Sequence, residues 1–284
     1  MVRYPQSQRV VGRGVLYIAL IIISLAMLVP LGWTLSTSLT ALDQLNVWPP
    51  RAIPQPIAWD NYVKVFQLVP IGHYFLNTLV IVVATEVGSL VTCSFVAYGF
   101  ARTTFPGKNI LFGLLLSTIM MPYIVRLMPL FIIYSKIGWI NTFLPLTVPA
   151  LLGRNAFFIF LLHQFFKGIP TELSDAARID GCNDVRIWWR IMLPLSKPVL
   201  AAVSIFAFQA AWDDFLGQLV YMGGDPNLYT LAVGLYNLRV APGEAPLIPY
   251  LMAMSAMLIV PVLAVFALGQ RYFIQGVALS GLKG

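Results

Sequence analysis

ELSDAARIDGCNDVRIWWRIMLP, residues 172–194, is the longest polar interruption in a very apolar chain. Thr171 is placed to cap a short helix, with Glu172 and Asp175 in a first turn where acids suit the positive end of the helix dipole. Leu173, Ala176 and Ala177 recur at helical spacing and share one face, and the two alanines admit close approach of a partner surface. Gly181 is a helix stop, and Asn183 is an N-cap for a second helix. There Val185, Trp188, Trp189 and Met192 form an apolar stripe, which Pro194 ends. The stretch reads as helix, glycine turn, helix. A plainer alternative is an interfacial loop with its tryptophans at headgroup level.

Composition sets the surroundings of this hairpin. Of 284 residues, 59% are hydrophobic and 10% charged, and the mean hydropathy is +0.81. Such a chain is an all-α, polytopic membrane protein in contact with lipid. The net charge of +7 raises nucleic acid as a partner, but the basic residues are scattered among apolar runs, so no nucleic acid is expected. Cys93 and Cys182 fall in a span and in the polar hairpin, which suggests neither a disulfide nor a metal site.

Six spans are expected within a single domain, residues 1–284: 15–35, 74–100, 109–134, 142–165, 199–222 and 248–270. A basic leader (1–14) precedes them and a tail (271–284) follows. The first run is too long for a signal-peptide core and lacks a small-residue cleavage site, so it reads as an uncleaved span. Residues 37–73, rich in Pro and Trp, read as an ordered extramembrane loop. Pro122 and Pro129 interrupt span three, and Pro145 and Pro149 lie near the start of span four. Of 18 Lys and Arg, 12 fall in segments that share a side with the N-terminus and four in the opposite loops, leaving Arg126 and Arg154 within spans. That asymmetry puts both termini and the 172–194 hairpin in the cytoplasm.

Five ionisable residues fall inside the spans: Glu86, Arg126, Arg154, Asp213 and Asp214. Each costs about 2.5–3.5 kcal/mol at mid-bilayer and should meet a partner or a wet cavity. On continuous helices Glu86 and Arg154 lie at matching depth, as do Arg126 and Asp213 or Asp214. They are candidates for intramembrane charge pairs or for the lining of a translocation pathway. No phosphate-binding loop occurs, and His73 and His163 are isolated, so the chain is expected to be neither an ATPase nor any other enzyme, and to hold no metal or cofactor.

Asp175-Ala176-Ala177, three residues, Gly181, nine residues, then Ile191-x-Leu193-Pro194 resembles the EAA loop of ABC importer permeases, with Asp175 where that family usually has Glu. PPRAIPQPIAWDNYVKVF, FARTTFPGK, MPLF, FFIFLLHQFFKGIPTEL, AFQAAWDDFLGQLV, YTLAVGL and RYFIQGVALSGLKG extend the likeness over nearly the whole chain, to the MalG-like subunit of maltose-type carbohydrate importers. Departures are His163 where Arg is common, Asp213 where Asn is common, and Arg126, which neutral-sugar members do not typically carry.

The resemblance implies a permease subunit of a binding-protein-dependent importer in a bacterial or archaeal cytoplasmic membrane, moving a sugar or oligosaccharide by alternating access. It implies a second, MalF-like permease, two ATPase subunits carrying ATP and Mg, and an extracytoplasmic binding protein. Glu172, Asp175, Ala176, Ala177, Gly181, Ile191, Leu193 and Pro194 would form the coupling helix docked on one ATPase. Tyr229, Tyr236 and Asn237, in the loop between spans five and six, would touch the binding protein, and the tail near Gly276–Gly284 would reach the ATPases. A polyol phosphate or other anionic solute is an alternative cargo. A secondary transporter is a more distant one, since no inverted repeat is visible.

Overall fold

The computed structural model describes residues 6–45, 47–49, 51–240 and 247–281, without the side chains of 6–13, 240 and 271–281. Arg3, Lys283 and Gly284 of the termini, and Pro242, Gly243 and Pro246 of the last long loop, lie outside the described residues. No strand occurs among the described residues.

The chain forms α1 (Gln6–Ser38), α2 (Asp60–Leu68), α3 (Ile71–Arg102), α4 (Lys108–Ser117), α5 (Tyr123–Lys136), α6 (Leu144–Leu151) and α7 (Ala156–Gly168). It continues with α8 (Glu172–Ile179), α9 (Asp184–Ile187), a π-helical turn (Trp188–Met192), α10 (Leu193–Leu195), α11 (Lys197–Trp212), α12 (Phe215–Met222), α13 (Leu231–Val240) and α14 (Ile248–Gly281). Among the described residues four segments are long and apolar enough to cross a membrane, in α1, α3, α6 taken together with α7, and α14. Up to six spans result when the two bent pairs, Lys108–Met120 with Tyr123–Lys136 and Asp184–Leu195 with Lys197–Trp212, each count as one.

Two compact units are distinguished, one of residues 1–69 with Asn237–Ile259, the other of Pro70–Tyr236 with residues from Val260 onward. In the first, α1 is apolar all round, and Val15 to Val29 are exposed within this chain, as suits a helix in lipid or against another subunit. The carbonyls that end α1 need partners outside it. Buried Asn61, in α2, supplies them: its Nδ2 donates to the Ser38 and Thr40 carbonyls at 2.9 Å each. Ser38 and Tyr62 share a further hydroxyl bond of 2.8 Å.

The second unit is built on α3, which packs against α6, α7 and α11. Its buried stripe is small in the middle: Gly88, Ser89, Cys93, Ser94 and Ala97. Small residues let helix backbones approach. A Cβ on Gly88 would stand 3.0–3.1 Å from the backbone of Ala150 and Leu151, so α6 comes as close as the missing side chain allows. Cys93, Tyr98, Phe158, Leu162, Phe166, Val203 and Ala207 form a cluster at the meeting of α3, α7 and α11.

Three expected spans are not single helices. Span three breaks at Met121–Pro122 and bends by 104° between α4 with its 3₁₀ turn and α5. Pro122 has no N–H to give and forces Met121 into extended geometry (φ −81°, ψ 115°), whereas Pro129 is absorbed inside α5. Span four breaks at 152–155, where Gly153 adopts φ +71° and the Asn155 side chain caps α7 by accepting the Phe158 N–H at 3.3 Å. Span five, expected over 199–222, stops at Trp212, and Asp214 caps α12 by accepting the Gly217 N–H at 2.9 Å. Two further elements exceed expectation. The loop after Met222 contains α13, and α14 carries the backbone of the expected tail in helix to Gly281.

Candidate functional site

The 172–194 hairpin forms as helix, turn, helix, with local corrections. Thr171 is itself in helical geometry and makes no side-chain cap. The far end of α8 is closed by a Schellman motif: Cys182 N–H to Ala177 C=O at 2.9 Å and Gly181 N–H to Arg178 C=O at 3.0 Å, with Gly181 at φ +79°. Asn183 does cap α9, its Oδ1 accepting the Arg186 N–H at 2.9 Å. Pro194 does not end the helix. The wide turn at Trp188–Met192, closed by Leu193 N–H to Trp188 C=O, changes the hydrogen-bond ladder just before Pro194 removes a donor, and helix continues to Leu195.

The hairpin has two faces of different destination. Ala177, Ile187, Trp188 and Met192 are buried in the cluster of α3, α7 and α11, with Ile191 and Leu193 packed against it. Leu173, Ala176, Val185 and Trp189 are exposed, and Ile179 is 88% exposed. The two alanines expected to share an outward face are therefore divided, Ala176 out and Ala177 in. The aromatic stripe divides likewise, because the π turn rotates Trp188 inward and leaves Trp189 outside.

A polar chain ties the turn together. Arg178 bridges Asp175 and Asp184 at 3.1 Å each, and the Tyr98 hydroxyl of α3 donates to Asp184 at 2.9 Å. The Arg178 hydrogen bond, then that from Tyr98, holds the Asp184 carboxyl below its ordinary value. Glu172, Asp175, Gly181 and Pro194 are all at the surface of this knob. Reading the sequence missed Arg178, Asp184 and Tyr98; the first two flank the turn glycine with opposite charge, while nothing local marks Tyr98.

The five intramembrane ionisable residues are arranged differently from the depth argument. The ion pairs among the described residues are Lys64–Asp60, Arg178–Asp175 and Arg178–Asp184, so neither Glu86–Arg154 nor Arg126 with Asp213 or Asp214 is one. Glu86 accepts from the Ser204 hydroxyl of α11. Arg154 lies in the break between α6 and α7, and the two aspartates lie in the break between α11 and α12, so their depths cannot be counted along continuous helices. Two cavities share Arg154 and Asn155 as a wall. One is also lined by Thr85, Ser89 and Asp214, the other by Thr118, Tyr123 and Arg126. Asp213 is exposed.

Of the expected outer-loop residues, Tyr229 is half-buried, tilted on Tyr74 with ring centroids 6.1 Å apart, and its carbonyl accepts from Asn77 at 3.0 Å. Tyr236 is exposed beside Phe215, and Asn237 is half-buried.

Residues 89–278 match the family described as binding-protein-dependent transport system inner membrane component. The chain belongs to this family. It is thus a multi-pass membrane component of a transporter. The permease is 37% identical over 232 residues to the arabinooligosaccharides transport system permease protein AraQ of Halalkalibacterium halodurans, covering 81% of each chain. It is 31% identical to the sn-glycerol-3-phosphate transport system permease protein UgpE of Yersinia enterocolitica, over 84% of this permease and 87% of that one. In fold it matches a chain from the crystal structure of a bacterial ABC transporter involved in the import of the acidic polysaccharide alginate. The TM-score there is 0.84 at 23% identity, over 96% of this permease and all of the other chain.

Proposed function

We propose that the permease is one of two membrane subunits of an ATP-driven, binding-protein-dependent importer of a carbohydrate, a sugar or oligosaccharide. Its companions are a second, MalF-like permease, two ATPase subunits that hold ATP and Mg, and an extracytoplasmic binding protein. The assembly sits in a bacterial or archaeal cytoplasmic membrane with both termini cytoplasmic, as the distribution of Lys and Arg supports. Relatives named for arabinooligosaccharide and glycerol-phosphate transport support the substrate class.

The observation that carries the reading is the two-faced hairpin. An apolar knob of Leu173, Ala176 and Ile179 is left for another polypeptide, while Ala177, Ile187, Trp188 and Met192 lock the same hairpin into the helix cluster. A displacement imposed on the knob therefore moves α3, α7 and α11 with it, because a close-packed core transmits rather than absorbs strain. In this mechanism Glu172 and Asp175 form a polar rim to the docked face, Gly181 sets the turn, and Ile191, Leu193 and Pro194 anchor its base. Tyr229, Tyr236 and Asn237 are proposed to face the binding protein, and the helical end of α14 the ATPases.

The test is uptake into vesicles reconstituted with the whole assembly. Accumulation of a sugar delivered by the binding protein should require internal ATP and survive ionophores that collapse ion gradients. Accumulation that needs no ATP and stops with the ionophore would overturn the reading in favour of a secondary transporter.

A further inference from the structure

Thr118, Ile119, Tyr123, Arg126, Leu130, Arg154 and the stretch Asn155–Phe157 enclose a cleft of about 210 Å³. Its wall holds two guanidinium side chains and no carboxylate. Arg126 enters no ion pair among the described residues, and its Nε is buried without a hydrogen-bond partner. Arg126 is half-buried while Arg154 is exposed, so the two like charges share one space, and the unmet donor there is the buried Arg126 Nε. The acid on the adjoining cavity, Asp214, is already engaged: its Oδ1 accepts the Gly217 N–H at 2.9 Å and the Tyr123 hydroxyl at 3.3 Å.

The backbone adds to the same sign. Tyr123 and Arg126 stand in the first turn of α5, and Ala156 and Phe157 open α7. Neither helix has an acid in its first turn, so both bring the positive end of their dipole to the cleft, that of α7 with one N–H taken by the Asn155 side chain. A neutral sugar offers hydroxyls that ask for acceptors as well as donors, and this wall is dominated by donors. An anion supplies acceptors and charge together, in the planar geometry a guanidinium fits.

We infer that this cleft receives the anionic group of the transported solute, so that the cargo is a carbohydrate bearing a carboxylate or phosphate. This rests on the importer reading above and narrows its substrate class.

The experiment uses the complete importer in nanodiscs of phosphatidylcholine, with Thr118→Cys as a reporter in a Cys182→Ser background and maleimide labelling as the readout. The probes are a uronate trisaccharide and glucose 6-phosphate, with maltotriose as the neutral counterpart. At least one acidic probe should slow labelling about fivefold or more, and maltotriose should not. Arg126→Gln should raise the half-protecting concentration about tenfold, with partial recovery in Arg126→Lys. Lys136→Gln, on the same helix away from the cleft, should not change it. Equal protection by maltotriose, no protection by any probe, or protection indifferent to Arg126→Gln would each overturn the inference. So would slowing produced only when phosphatidylglycerol replaces part of the lipid, which would make the cleft a headgroup site. If ATP-driven sugar uptake persists in those cases, the importer reading stands without it.

Discussion

Gly181 at φ +79° has open space where a Cβ would go, so any cost of substituting it is conformational and not steric crowding. Gly181→Ala should therefore destabilise the permease by about 1 kcal/mol, the penalty for a left-handed non-glycine residue, without unfolding it. Thermal denaturation of the detergent-solubilised protein would measure this, and a loss several times larger would mean the turn is crowded after all. Asp184 gives a pH prediction. Its folded value lies below the ordinary 3.8, so its contribution is complete above that value and disappears as pH falls through the depressed one. The stability gap between the native protein and Asp184→Asn should stay constant from about pH 7 to about pH 5 and close only below about pH 4. A gap that grows on acidification would contradict the Arg178 and Tyr98 partnership. At this scale the sequence marks Gly181 and Asn183 because each needs only its immediate neighbours. Thr171 misleads because a cap depends on backbone angles, and Tyr98 is invisible because its partner lies 86 residues away.

Helix breaks divide into legible and illegible at the scale of elements. The break at Pro122 announces itself through a missing donor. Those at Gly153–Asn155 and Asp213–Asp214 do not, since long apolar runs surround short polar residues that also occur inside membrane helices. The depth pairing of Glu86 with Arg154 fails for that reason, while the notion that Arg126 and Arg154 line a cavity remains compatible with the geometry. The hairpin shows the complementary limit. Periodicity groups Leu173, Ala176 and Ala177 on one face, but whether a small residue turns to its own bundle or to a partner is decided by tertiary packing. The contact of α3 with α6 carries its own prediction. Gly88→Val would drive side-chain atoms into the Ala150–Leu151 backbone, and overpacking of this kind costs about 1–3 kcal/mol. A fall in melting temperature larger than that of Gly99→Val, where nothing stands within 4 Å, is the expected result; equal falls would deny the close approach.

Across the whole molecule, an apolar chain with 10% charged residues has few places where polar chemistry can be read, and this concentrates information at the hairpin. Membrane class and the all-α fold follow from composition. The longer reach of α14 and the helix after Met222 do not: the first runs past Arg271, where the apolar run ends, and the second lies in a segment with Gly223, Gly224 and Pro226 that reads as loop. The central claim is that one cytoplasmic knob, fused to the α3, α7 and α11 cluster, takes up force generated by an ATPase subunit. Ile179→Asp tests it most directly, since the residue is 88% exposed and its replacement leaves the buried cluster intact. In the reconstituted importer this variant should keep the native melting temperature within about 0.5 kcal/mol of stability, while solute-stimulated ATP hydrolysis and uptake fall at least about tenfold, as expected from burying an unpaired charge in an interface. Native rates of both in the folded variant would contradict the account.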